Sequence, residues 1–159
     1  MLVIYYVALY YLALTGNYFV NSLDFPLKIN FFLLTPLMVL PIKKNWSCTV
    51  YFTILGLASD SYSAGFFGIH GFSFFLTSLI LLWVVQEFFT ESVFMLFLLA
   101  VFGNLLAHLF SALFFYMAEG QIYLQSEYNI TIFLYNILPT SLVCIPAYYL
   151  FKKIADIIK

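Results

Sequence analysis

Charge is what this chain has least of. Only 8% of its 159 residues are charged, none of its cations is an arginine, and the formal net charge is -1. That removes the basic surface on which nucleic-acid binding depends, so no nucleic-acid partner is expected. Cysteine is nearly as scarce. Cys48 and Cys144 stand far apart in apolar runs, too few for a disulfide framework or a cysteine-rich metal centre, and read as small core residues. The sequence also has no G-x-S-x-G elbow, no Gly-rich phosphate loop, no paired catalytic carboxylates and no H-E-x-x-H, so neither an enzyme nor a cofactor is expected.

What is present in excess is apolar and aromatic surface: 65% hydrophobic residues, with 20 Phe, 13 Tyr and 2 Trp. Mean hydropathy is +1.04. A chain of this length and composition cannot bury its apolar surface as a water-soluble domain, which predicts one integral membrane domain over residues 1–159. The opening MLVIYYVALYYLAL lacks a basic leader and an A-x-A cleavage signal, so it is expected to be a retained first helix.

Polar, Pro and Gly punctuation separates six apolar runs: Leu2 to Val20, Ile29 to Ile42, Trp46 to Ser59, Ile69 to Val85, Ser92 to Met117 and Ile130 to Phe151. The second and third are about fourteen residues each, or ~21 Å of helix against a hydrocarbon core of ~30 Å. Pro36 and Pro41 are expected to break the second, and the third ends at a polar motif, so broken or partly re-entrant helices shielded by neighbours are predicted there. No internal repeat is visible. Lys43 and Lys44 follow the second run, while Lys152, Lys153 and Lys159 follow the sixth. The positive-inside rule puts both sites in the cytoplasm, and six spans satisfy both with cytoplasmic termini. Lys28, accompanied by Asp24, is then outside, as are the turn around Asp60 and the segment from Glu119 to Asn129. Glu87 and Glu91 fall in a cytoplasmic turn, where they are expected to be solvated.

Polar residues inside the runs need partners. Asn104, His108 and Ser111 share one face of the fifth run, beside a small-residue ridge of Gly103, Ala107 and Ser111, so this face is expected to pack on protein. In the sixth, Asn136, Thr140 and Cys144 share a face, and Pro139 and Pro146 predict a kinked core helix. His70, His108 and Asp60 are residue types found around metals, but neither histidine has the paired local spacing of such sites, and no metal is expected.

The segment GLASDSYSAGFFGIHG, Gly56 to Gly71, puts Asp60 and His70 into this apolar setting. A carboxylate at membrane depth costs roughly 2.5–3.5 kcal/mol on insertion scales, so Asp60 requires partners. Its own Gly-rich turn, His70, or the Asn104 and His108 face are the sources on offer. Gly56, Gly65, Gly68 and Gly71 predict a helix end, a tight irregular turn and a new helix start.

Gly56, Asp60, Ser63, Gly68 and His70 stand as G-x3-D-x2-S-x4-G-x-H, which resembles the signature of the bacterial rod shape-determining protein MreD family, GxxxDxxSGxPxGxHA. Ala64 stands where that family usually has Gly, and Phe66 where it often has Pro. An Asn followed three residues later by Pro, Asn136 and Pro139, is also similar to the family's last helix. The resemblance implies an all-α polytopic membrane protein of about six transmembrane helices, a compact bundle similar to the substrate-binding subunits of energy-coupling-factor vitamin transporters. It further implies a non-enzymatic scaffold of the cell-elongation machinery in the bacterial cytoplasmic membrane. The implied partners are an MreC-like bitopic protein and, with it, MreB, a penicillin-binding protein and a glycosyltransferase, with peptidoglycan synthesis and cell shape as the output. The alternative is a vitamin-transporter binding subunit. Those typically carry A-x-x-x-A in the first helix, whereas Ala8 and Ala13 are five apart here and Tyr5, Tyr6, Tyr10 and Tyr11 crowd that helix, which favours the scaffold.

Overall fold

A computed structural model of the chain describes residues 2–22, 29–62, 66–119 and 136–157. Among them the structure is all-α, with six helices: α1 (Leu2–Ser22), α2 (Phe31–Lys43), α3 (Trp46–Tyr62), α4 (Ile69–Phe88), α5 (Val93–Glu119) and α6 (Leu138–Ile157). Two of them, over Ile69–Phe88 and Val93–Ala118, are long and apolar enough to cross a membrane.

The shortest helix organises the rest. Every residue from Phe32 to Pro41 of α2 is buried, and the helix touches all five others. A helix that is apolar all round has no face for solvent and belongs at a centre. Contrary to expectation, Pro36 and Pro41 do not break it; Phe31–Lys43 is one continuous helix of 13 residues. Each proline removes one N–H donor, from the Phe32 and Leu37 carbonyls, but the helix is enclosed by neighbours whose packing keeps it continuous. α2 ends at Lys44, whose positive φ of 49° is the left-handed cap, its N–H reaching the Leu40 carbonyl at 2.9 Å. α3 also departs from expectation. It runs 17 residues to Tyr62, so Asp60 lies inside its last turn rather than beyond its end.

Three contacts gather the lysine-bearing ends at one end of the bundle. The Gln86 amide donates to the Lys44 carbonyl at 3.3 Å, the Lys44 ammonium lies 5.5 Å from the Phe89 ring centre, and Lys152 donates to the Glu91 carboxylate. Glu91 is therefore paired rather than simply solvated, and the Lys152 ammonium holds its carboxyl below the usual carboxylate range. A depressed value means that the pair contributes above the ordinary carboxylate range and is lost as pH falls through the lowered one. The pair lies open to solvent, so its contribution is small.

The small-residue ridge of α5 faces inward. A Cβ on Gly103 would sit 2.7 Å from Leu37 Cδ2 and 3.0 Å from Leu81 Cδ1, and Ala107 and Ser111 are buried. The ridge is thus internal packing against α2 and α4. Gly103→Leu is expected to destabilise the fold by about 1–3 kcal/mol through overpacking, read as a lower thermal midpoint of the purified protein. Glu91→Gln is expected to leave that midpoint unchanged at neutral pH.

Candidate functional site: a carboxylate that caps a distant helix

α4 begins with a problem. Its N-cap, Gly68, has a φ of 104°, a conformation glycine adopts freely, but glycine offers no side chain to accept the first orphaned N–H groups. Asp60, in the last turn of α3, accepts them instead. Its Oδ2 receives the N–H of Gly68 at 3.0 Å and of Gly71 at 3.0 Å, and its Oδ1 receives the N–H of His70 at 2.9 Å. The His70 ring adds a fourth bond, Nδ1 to Oδ1 at 2.8 Å. A carboxylate only accepts, so Nδ1 carries the proton and Nε2 is directed away from Asp60. The Asp60 side chain is fully buried. Negative charge at a helix N-terminus is also favoured by the helix dipole.

The clasp requires α3 and α4 to meet closely, and Gly56 provides the approach. A Cβ there would stand 2.6 Å from the His70 carbonyl oxygen and 2.8 Å from the Gly71 Cα, both backbone atoms that cannot step aside. Gly71 differs, since a Cβ on it would meet the Leu57 side chain, Cδ2 at 2.6 Å, which can rotate. On the outer side the His70 ring meets Phe115 edge-on with centres 5.9 Å apart, and Phe72 meets Phe114 at 5.0 Å, tying the start of α4 to the end of α5.

Of the sequence-predicted residues, Gly56, Asp60, Gly68 and His70 come together in this one clasp; Ser63 lies outside the described residues. Of the sources offered, its own turn and His70 hold Asp60 among the described residues. The α5 face serves elsewhere: Asn104 is buried with its amide donating to the Ala100 carbonyl of its own helix at 2.8 Å, Ser111 is buried, and His108 is half-buried. Among the described residues no group of three or more His, Cys, Asp or Glu side chains is placed to hold a metal.

Thr140 has a role the sequence reading missed. Asn30 is the N-cap of α2, its side chain accepting from the Leu33 N–H at 3.3 Å, and its own N–H donates to Thr140 Oγ1 at 3.1 Å. The Thr140 hydroxyl in turn donates to the Asn136 carbonyl at 2.6 Å. A signal for half of this exists, because Asn ahead of Phe31 and the apolar residues after it is an N-cap residue type, but a second run drawn from Ile29 encloses Asn30 and leaves the cap unread. One further feature marks the α3–α4 interface. Thr49 and Thr77 lie seven residues, two turns, from the touching Gly56 and His70, so they recur on the same facing sides. Both hydroxyls are buried and make no hydrogen bond among the described residues.

No family model, curated protein or solved structure matches this chain.

Removing the clasp should be costly. Asp60→Ala removes the acceptor of three backbone donors, that of Gly71 buried and those of Gly68 and His70 partly buried; one buried unmatched donor costs about 1–3 kcal/mol, and a loss of at least that order is expected, read by thermal unfolding in detergent. Gly56→Ala should destabilise more than Gly71→Ala, because one new methyl meets backbone and the other a rotatable side chain. Equal effects at the two glycines would contradict the close approach described.

Proposed function

We propose that this chain is a polytopic protein of the bacterial cytoplasmic membrane, a non-enzymatic scaffold subunit of the rod, or cell-elongation, machinery. The observation that carries the reading is the Asp60 clasp. Four of the five residues through which the chain resembles the MreD signature act together: Gly56 for approach, Gly68 for the turn, Asp60 and His70 for the cap. A motif that brings its members into one structural unit is a better basis for a resemblance than the same letters scattered through a fold.

The membrane setting is supported by the outer surface. Each of the five helices around α2 exposes large apolar side chains, among them Phe19 on α1, Val50 on α3, Trp83 on α4, Leu109 on α5 and Leu150 on α6. Water does not tolerate such a surface over a whole bundle, whereas lipid does. The gathering of Lys44 and Lys152 at one end suits the positive-inside orientation, with the Asp60 clasp at the outer end.

Recognition rather than turnover is the mode of action. The Asp60 carboxylate acts as a structural cap, accepting from Gly68, His70 and Gly71, and the functional surface is helix faces that pack against partner helices. An MreC-like bitopic protein is the proposed direct partner, with MreB, a penicillin-binding protein and a glycosyltransferase in the larger assembly.

Depletion in a rod-shaped host should give rounded, widening cells, and the protein should co-purify with the bitopic partner. Unchanged shape together with a vitamin retained through purification would replace this reading with the transporter subunit. For orientation, Lys44→Cys in a background lacking Cys48 and Cys144 should resist an impermeant thiol reagent in intact cells, whereas Phe67→Cys should label. Labelling of position 44 from outside would overturn the topology.

A further inference from the structure

At the lysine-bearing end, an apolar recess of about 300 Å³ opens between the last turn of α4 and the first turns of α5, lined by Val84, Phe89, Met95, Leu98, Leu99 and Phe102. Leu98 and Phe102 are exposed at its rim and Leu99 is buried at its base. A cation stands next to one wall: the Lys44 ammonium lies 5.5 Å from the centre of the Phe89 ring. Lys44 is not a loose surface lysine. Its backbone is fixed as the left-handed cap of α2, and its carbonyl is held by the Gln86 side chain at 3.3 Å.

We infer that this recess is a binding site for an anionic phospholipid, with a stretch of acyl chain against Phe89, Leu98 and Phe102 and the phosphate at the Lys44 ammonium. The inference rests on the membrane reading above but not on the identity of the protein partners. Charge selects the occupant. Lys43, Lys44, Lys152 and Lys153 stand at this end against Glu87, Glu91 and Asp156, and Glu91 is already engaged by Lys152. The remaining field attracts a headgroup with net negative charge and gives a zwitterionic one no comparable gain. A partner helix suits the recess less well. The lining has no Gly, Ala or Ser to let a second backbone approach, and helix pairs in lipid depend on such residues. A flexible chain needs only an apolar trough.

Trp83, beside Val84 and packed on Phe88 with ring centres 5.8 Å apart, is a built-in reporter. The full chain carrying Trp46→Phe, which leaves Trp83 as the single tryptophan, would be reconstituted in phosphatidylcholine vesicles. Quenching is then titrated with brominated phosphatidylglycerol and, separately, with brominated phosphatidylcholine of the same chains. The expected result is a preference of about five-fold for phosphatidylglycerol, which is what roughly 1 kcal/mol from one lysine near an anionic headgroup amounts to. Lys44→Gln should reduce that preference to near unity with Trp83 emission otherwise unchanged. Leu98→Phe, which fills the recess and leaves the lysine in place, should weaken quenching by the anionic lipid. Equal quenching by the two lipids, or a preference that survives Lys44→Gln, would overturn the inference. Vesicle flotation separates this from the broader reading. A chain that fails to float with vesicles defeats the membrane assignment, whereas one that floats and shows no preference defeats the lipid site alone.

Discussion

The structure depends on a carboxylate that serves a helix other than its own. The first backbone donors of α4 have no intrahelical partner, and Gly68 offers no side chain for them. Asp60 solves this from across the α3–α4 pair, and the solution constrains everything around it. It fixes the length of α3, which must extend far enough to present residue 60. It also fixes the depth at which α4 starts and the smallness of residue 56. The closely packed α3–α4 pair is in this sense the geometric consequence of placing one charge among three backbone amides and an imidazole.

The same device appears twice at the same end of the molecule. Thr140 receives the Asn30 N–H at the start of α2 as Asp60 receives those at the start of α4, the first neutral and the second charged. Buried polar groups in an apolar bundle are thus used for joining one helix end to another helix flank. The opposite end is organised by lysines, Gln86 and an ion pair instead, interactions that tolerate water. A bundle joined at one end by helix-capping side chains and at the other by lysines and an ion pair has a built-in polarity, which accords with the orientation proposed from the lysines.

Much of this was legible in the sequence, for stated reasons. Six apolar runs became six helices because Pro, Gly and charge mark helix ends independently of tertiary context. The need of Asp60 for partners followed from the cost of burying a charge, and the glycines around it named the turn. Two things were not legible. The prolines of α2 were read as breaks because local rules assume a solvated helix, and only enclosure by five neighbours keeps Phe31–Lys43 continuous. Pairing of Thr140 with Asn30, and of Lys152 with Glu91, joins residues remote in the chain, so no periodicity or spacing reveals it.

The Asn30 to Thr140 bond closes a loop of 110 residues, and it has a consequence for the order in which the chain is made. α2 leaves the ribosome early yet is the helix most completely wrapped by others, and the hydroxyl that holds its N-cap residue is among the last to be synthesised. Until α6 arrives, the start of α2 is an open end and its flank lacks a wall. The centre of the bundle is therefore finished last, and any nascent chain stopped before residue 140 carries an α2 whose Asn30 N–H lacks its acceptor and whose apolar flank is half-covered, the kind of exposed segment that makes incomplete chains prone to misassembly.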